Sequence, residues 1–169
     1  MSETHDPKHS FHELVVADVV QETADTRSFA FEVPPGLAPL FAYVSGQFLT
    51  FEIPWESFRV HRCYSLSSAP GIDASPTVTV KRVERGRVSN WMNDRLEKGS
   101  RIAVKPPEGH FVLRPAEQER PLVMFGGGSG ITPILSILKS ALSNTRRRVK
   151  LVYANRDRDS IIFRTALDS

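Results

Sequence analysis

The chain has 169 residues, a formal net charge of +3 and a pI near 9.2, with 40% apolar and 24% charged residues. That composition fits a globular protein with its own core and excludes a disordered or membrane-embedded chain. The lone cysteine, Cys63, leaves no internal disulfide and no all-cysteine metal or iron–sulfur site in this chain.

Residues 1–10 are polar and read as a flexible tail without the apolar core of a signal peptide. The apolar run 122–125 is too short to cross a bilayer, so a cytoplasmic protein with no membrane partner is expected. In residues 11–22 apolar and polar side chains partly alternate, placing Val15, Ala17 and Val19 on one face of a strand. Residues 27–33 form a second strand, with Phe29, Phe31 and Val33 sharing a face, closed by Pro34-Pro35-Gly36. After a proline-containing loop, 46–53 is a third strand stopped by Pro54, and 61–67 is a fourth. Residues 77–83 alternate cleanly, and 101–105 make a sixth strand before Pro106-Pro107. Six short strands separated by turn signals predict an all-β, six-stranded antiparallel barrel. One helix interrupts it. Ser89 is its expected N-cap, Trp91, Met92, Arg95 and Leu96 keep helical spacing, and Gly99 stands where a C-terminal glycine belongs.

The pattern changes at 117–121. A buried strand, 122–125, runs into Gly126-Gly127-Gly128-Ser129-Gly130, after which Thr132 as N-cap and Pro133 at the first helical position open a helix. Ile134, Ile137, Leu138, Ala141 and Leu142 are its apolar stripe, and Arg146-Arg147-Arg148 read as its solvated end, favourable against the helix dipole. No nucleic-acid motif accompanies that patch, so no nucleic acid partner is expected. Residues 149–154 are a parallel strand reached by a right-handed crossover, and 160–167 a further helix capped by Ser160. The organisation is therefore a β-barrel domain over 11–115, followed by an incomplete, Rossmann-like parallel α/β segment over 116–169. Two parallel strands cannot by themselves make a stable doubly wound sheet.

Four stretches carry chemistry. In the strand Arg62-Cys63-Tyr64-Ser65 residues two apart share a face, so Arg62 and Tyr64 point the same way. A guanidinium fork suits a phosphate and a tyrosine ring suits a planar ligand, although an ordinary surface strand would look the same. The turn Gly86-Arg87-Val88-Ser89 aims backbone N–H groups outward from a helix start, an anion site that also serves as a plain capped helix end. Gly126, Gly127, Gly128, Ser129 and Gly130, between a strand and a helix, make a backbone cradle for a dinucleotide pyrophosphate, or a tight connection. Asn155, Arg156 and Arg158 lie just past the second parallel strand, where a ribose or its phosphate would sit.

Taken in order, Arg62-x-Tyr64-Ser65, Gly86-x-x-Ser89-x-Trp91, Pro107-x-Gly109-x-Phe111, Gly126-Gly-Gly-Ser-Gly-Ile-Thr-Pro133 and Tyr153-Ala-Asn-Arg156 resemble the ferredoxin–NADP reductase family across residues 11–169. Within it, "GQFLTFEIP", "RCYSLSS", "VTVKR", "SNW" and "LVYANRD" are most similar to reductase components of bacterial oxygenases, of the 3-ketosteroid 9α-hydroxylase reductase type. The resemblance implies a flavoprotein binding FAD, with NAD(P)H as co-substrate and an iron–sulfur oxygenase or ferredoxin as electron acceptor. It implies that Arg62, Cys63, Tyr64 and Ser65 hold the flavin, with Ser65 near its N5. Val80 and Lys81 would border the adenine side, and Arg87, Val88 and Ser89 the pyrophosphate. The glycine loop and Thr132 would receive the nicotinamide nucleotide, making Ser65 and Thr132 the catalytic pair, with Asn155 and Arg156 near the adenosine ribose. Analogy with the subgroup favours NADH over NADPH. The family's further strands, its Cys-Gly-Pro segment and its closing C-terminal element have no counterpart here, so the chain reads as an N-terminal portion with weak or no turnover. Two alternatives stay open: a non-enzymatic flavin-binding or interaction module that self-associates through its unfinished sheet edge, and a free flavin reductase.

Overall fold

Alternation of aromatic and β-branched residues with polar ones curls six antiparallel strands into a barrel. They are β1 (His12–Thr23), β2 (Thr26–Glu32), β3 (Phe48–Trp55), β4 (Phe58–Ser65), β5 (Thr77–Lys81) and β6 (Arg101–Glu108), in the order β4-β3-β6-β1-β2-β5. The computed structural model describes residues 6–113 and 120–168. The sheet closes where Leu66 bridges Val78 and the Ser67 N–H donates to the Thr77 carbonyl at 2.8 Å. Leu14, Val16, Phe29, Phe31, Leu49, Phe51, Ile53, Val78 and Val80 fill the interior, each fully buried.

The face expected of β1 is corrected. Leu14 and Val16 are the buried residues, whereas Val15 and Ala17 are half-buried on the other side. The register against β2 shifts between Val16 and Asp18, so an extra residue flips the parity and Val19 then packs on the core. The proline stops are corrected too: β3 runs through Pro54 and β6 through Pro106-Pro107. Pairing of β3 with β6 has already ended at Glu52, so Pro54 sits on an edge. Pro106 and Pro107 occupy the irregular stretch where pairing jumps from Thr50↔Lys105 to Phe48↔Glu108. A residue without an N–H is tolerated at both kinds of position.

Helix α1 (Arg87–Arg95) starts earlier than expected, with Gly86 rather than Ser89 at its N-cap. The Ser89 hydroxyl instead accepts the Val83 N–H at 3.1 Å. Leu96 ends the helix, and Gly99, at φ +89, makes the turn into β6, its N–H donating to the Val16 carbonyl at 2.8 Å.

The second half comprises β7 (Leu122–Gly127), α2 (Ile131–Asn144), β8 (Val149–Ala154) and α3 (Arg164–Asp168), with β7 and β8 parallel. The cap of α2 is Gly130, so Thr132 and Pro133 are its second and third residues, not its cap and first. Its buried face is wider than the expected stripe, taking in Ile131, Leu135 and Ser136, while Leu142 is exposed. The cause is double coverage: β7–β8 on one side, the barrel on the other. Residues 160–163 are not helical. The Ser160 N–H donates to Asp157 Oδ1 at 2.8 Å, closing a turn, and Phe163 at φ +62 precedes α3. Arg147, expected in solvent, is buried, with Nε and Nη2 lacking a partner among the described residues. The chain turns at Thr145 and folds back, pairing the Arg148 carbonyl with the Leu122 N–H. The domain boundary expected at 115/116 and part of the tail, 1–5, lie outside the described residues. Among the described residues, no helix is long and apolar enough to cross a membrane.

Candidate functional site

A cleft of about 730 Å³ opens where the end of β4, the α1 start and the α2 start converge. Strand β4 contributes Arg62, Cys63, Tyr64 and Ser65; β5 contributes Thr79 and Lys81. The turn into α1 adds Val83, Arg85, Gly86, Arg87, Val88 and Ser89, and the glycine loop with α2 adds Ser129, Gly130, Thr132 and Pro133. Arg62 and Tyr64 thus face one cavity, as their spacing in a strand requires. Four cations line it, Arg62, Lys81, Arg85 and Arg87, and none of the described lining residues is acidic. Such a cavity attracts anionic ligands.

Tyr64 is half-buried against Phe51, with ring centroids 5.9 Å apart. Burial pushes its phenol up to about 12, the Arg62 cation pulling more weakly the other way. It therefore remains an O–H donor at neutral pH. Arg62 is exposed, and its Nη1 donates to the His61 carbonyl at 2.7 Å, leaving the rest of the fork available for an acceptor. Arg87 stacks over Trp55 at 6.0 Å, carrying its charge to the cleft rim.

The α1 start is built by close approach. A Cβ on Gly86 would stand 2.6 Å from Ser89 Oγ and 2.9 Å from the Val83 carbonyl oxygen, so a side chain there has no room. The amides of the first helical turn have no partners within the helix, and the residues that carry them line the cleft, where the dipole favours an anion. Across the cavity, the Tyr153 hydroxyl donates to the Gly128 carbonyl at 2.9 Å, and Thr132 Oγ1 donates to the Ser129 carbonyl at 3.1 Å. The glycine loop is held from β8 and from α2 together.

Not every expected residue lines this cavity. Val80 is fully buried in the barrel core, so only its backbone can border a ligand. Gly126 and Gly127 are the last residues of β7 and Gly128 follows them, and none of the three lines the cavity; Asn155 and Arg156 lie past the end of β8. Arg156 Nη2 sits 3.9 Å from Asp25 Oδ2, a carboxylate that Lys81 also approaches at 3.5 Å. Asn155 Oδ1 is buried without a partner among the described residues. Thr79, Val83, Arg85 and Pro133 were missed. Thr79 was legible as the same-face neighbour of Lys81; Arg85 was hidden by its positive φ of 56, a turn conformation that composition does not announce.

Comparison with known proteins places both halves of the chain in known domains. Residues 13–113 match the model of the oxidoreductase FAD-binding domain, and residues 124–169 that of the oxidoreductase NAD-binding domain. The ferredoxin reductase component of 3-ketosteroid-9-alpha-monooxygenase from Rhodococcus rhodochrous is 52% identical over 151 residues, 89% of this chain and 42% of that protein. The chain thus spans less than half the length of that relative. Among solved structures, the FAD/NAD-binding domain of nitric oxide dioxygenase from Vibrio cholerae superposes with a TM-score of 0.83 at 28% identity, covering 95% of this chain and 69% of that one. Phthalate dioxygenase reductase superposes with a TM-score of 0.81 at 28% identity, covering 98% of this chain and 50% of that one.

Proposed function

The chain belongs to the oxidoreductase FAD-binding domain family, and on that premise we propose that its cleft binds FAD and presents it to a nicotinamide dinucleotide. One observation carries the reading: a single cavity gathers a tyrosine ring, a serine hydroxyl, four cations and two helix starts. A dinucleotide flavin needs each of these, for its ring, its ring heteroatoms and its diphosphate. Arg62 pairs with a flavin phosphate. Tyr64 and Cys63 line the ring and ribityl region, and Ser65 stands near N5 as a hydrogen-bond donor. Arg87, Val88 and Ser89 offer backbone amides to the pyrophosphate, which favours FAD over a mononucleotide, and Lys81 borders the adenylate. The glycine loop, residues 126–130, receives the pyrophosphate of the second nucleotide, Thr132 orients its nicotinamide, and Asn155 and Arg156 stand near its ribose. When bound, FAD supplies the redox chemistry, accepting a hydride from NAD(P)H and releasing single electrons.

The name of the Rhodococcus relative supports placing the chain in the reductase component of an oxygenase, passing electrons to an iron–sulfur oxygenase or ferredoxin in the cytoplasm. Asp157 and Asp159 follow Arg156 and would repel a ribose 2′-phosphate, which supports NADH. In the 169-residue chain turnover is weak or lost, a reading supported by the uncovered outer face of β7–β8, where Val123, Phe125 and Val152 are exposed. That same face favours the second reading, a flavin-binding module that self-associates rather than turns over.

The test is direct. The purified chain, loaded with FAD and freed of excess, is expected to keep a visible flavin band. No band refutes the binding reading, and a band lost steadily on gel filtration marks a free flavin reductase. Arg62→Ala removes one charged phosphate contact and is expected to weaken FAD by roughly 1.5–3 kcal/mol, about tenfold or more. Unchanged affinity by titration removes Arg62 from the phosphate role.

A further inference from the structure

The face of α2 that carries Thr132 into the cleft continues along the helix as its seam with the barrel. Ser136 follows Thr132 by four residues, and Lys139 and Ser140 by seven and eight, so all four share a side of the helix. Each of the later three holds the barrel. Ser136 Oγ, fully buried, donates to the Ser68 carbonyl at 2.5 Å. Lys139 Nζ donates to both oxygens of Asp73, at 2.8 and 3.0 Å, in a half-buried ion pair. Ser140 Oγ meets Ser45 Oγ at 2.6 Å.

The barrel partners are equally placed. Ser68 follows Ser65 by three residues and Ser136 follows Thr132 by four, so the two walls are tied together close to Ser65 and Thr132, which both line the cleft. Its hydroxyl is fixed in turn by the Thr77 N–H at 2.9 Å and by Tyr43 Oη at 2.7 Å. Asp73 Oδ2 also accepts the Ala69 N–H at 2.7 Å, so the loop bearing the carboxylate is itself held. A polar seam of this kind costs desolvation on both sides, and its gain is fixed geometry rather than bulk stability.

We propose that Ser136 and Lys139 are positioning residues that clamp α2 to the barrel and so set the gap between Ser65 and Thr132. The proposal rests on the FAD and nicotinamide reading of the cleft. Transfer between two bound rings needs reacting atoms about 3–3.5 Å apart, and a displacement of about 1 Å costs roughly a hundredfold. Ser136 lies roughly 6 Å along the helix from Thr132, so freeing it changes that gap directly.

The experiment uses the FAD-loaded 169-residue chain and its Ser136→Ala, Lys139→Met and Lys139→Arg variants. Hydrogen exchange of α2 amides is compared with and without FAD, alongside FAD affinity and single-turnover bleaching by saturating NADH. Ser136→Ala and Lys139→Met are expected to keep FAD affinity within about twofold while losing the protection that FAD confers on α2. Their bleaching slows about tenfold or more at an unchanged half-saturating NADH concentration, and Lys139→Arg, which keeps the charge, behaves as the parent. Retained FAD-dependent protection of α2 in both variants overturns the clamp, as does a loss of FAD affinity parallel to the loss of protection, the mark of ordinary fold stabilisers. The exchange comparison decides alone where NADH leaves the parent oxidised. A parent chain that takes up no flavin refutes the binding reading itself, which the visible spectrum shows before any variant is compared.

Discussion

Tyr64 carries the most perturbed acid of the cleft, and its pH behaviour follows from burial. The tyrosinate is the charged form, so the half-buried site holds the proton more tightly than the unfolded chain does, from 10.0 up to about 12. This contribution to stability is complete below pH 10 and is lost as the pH rises through about 12. Two units correspond to about 2.7 kcal/mol, and solvent screening of a partly exposed ring reduces that to about 1 kcal/mol. Denaturant titrations below and above this window are expected to show the parent losing about 1 kcal/mol more than Tyr64→Phe. Equal losses would mean that the phenol is not desolvated. The same burial keeps the hydroxyl a donor at neutral pH, the state a flavin ring or ribityl oxygen would meet.

The turn into α1 depends on one glycine for space rather than for dihedral freedom. Gly86 has an ordinary φ of −69, yet its missing side chain lets Ser89 Oγ and the Val83 backbone close behind the helix start. Gly86→Ala is expected to destabilise the chain by about 1–3 kcal/mol and to weaken FAD binding with it, because the first-turn amides move. Gly36→Ala, with nothing within 4 Å of the new methyl, serves as the neutral control. Equal melting temperatures and FAD affinities for the two variants would separate this turn from the pyrophosphate. Elements of this kind show what a sequence can announce. Strand parity around Arg62 and Tyr64 was legible because alternation is local, and so was the glycine loop between a strand and a helix. The β1 parity was not, since the shift between Val16 and Asp18 depends on how β2 pairs, which no local pattern records. Pro54, Pro106 and Pro107 misled for the same reason: a proline ends a strand only where a neighbour needs its N–H. Ser89 and Thr132 have the chemistry of caps but sit inside the first turn of their helices and bond back to Val83 and Ser129 ahead of them, so hydroxyl placement gave the wrong first residue twice.

At the scale of the molecule the two halves are covered unequally. The barrel closes on itself, whereas β7 and β8 form a two-stranded parallel sheet with α2 on one side only. Parallel sheets are stable with both faces covered. On the bare face, Val123 and Phe125 stand beside Lys150 and Val152 in the parallel register, and Phe125 is 73% exposed. Among the described residues both strands are also edge strands, each with an unpaired side. In a solution of this chain alone, the cover available to that face is a second copy. Elution volume is therefore expected to fall as concentration rises, and Phe125→Asp, which places a charge at the centre of the patch, is expected to elute as a monomer throughout. Because Phe125 lies on the side of the sheet away from α2 and the cleft, that variant keeps its FAD band while losing self-association. An elution volume constant over a hundredfold range of concentration (about 1–100 μM, where marginal interfaces report) would show that the face stays solvated, and would leave flavin binding as the property that the exposed sheet does not touch.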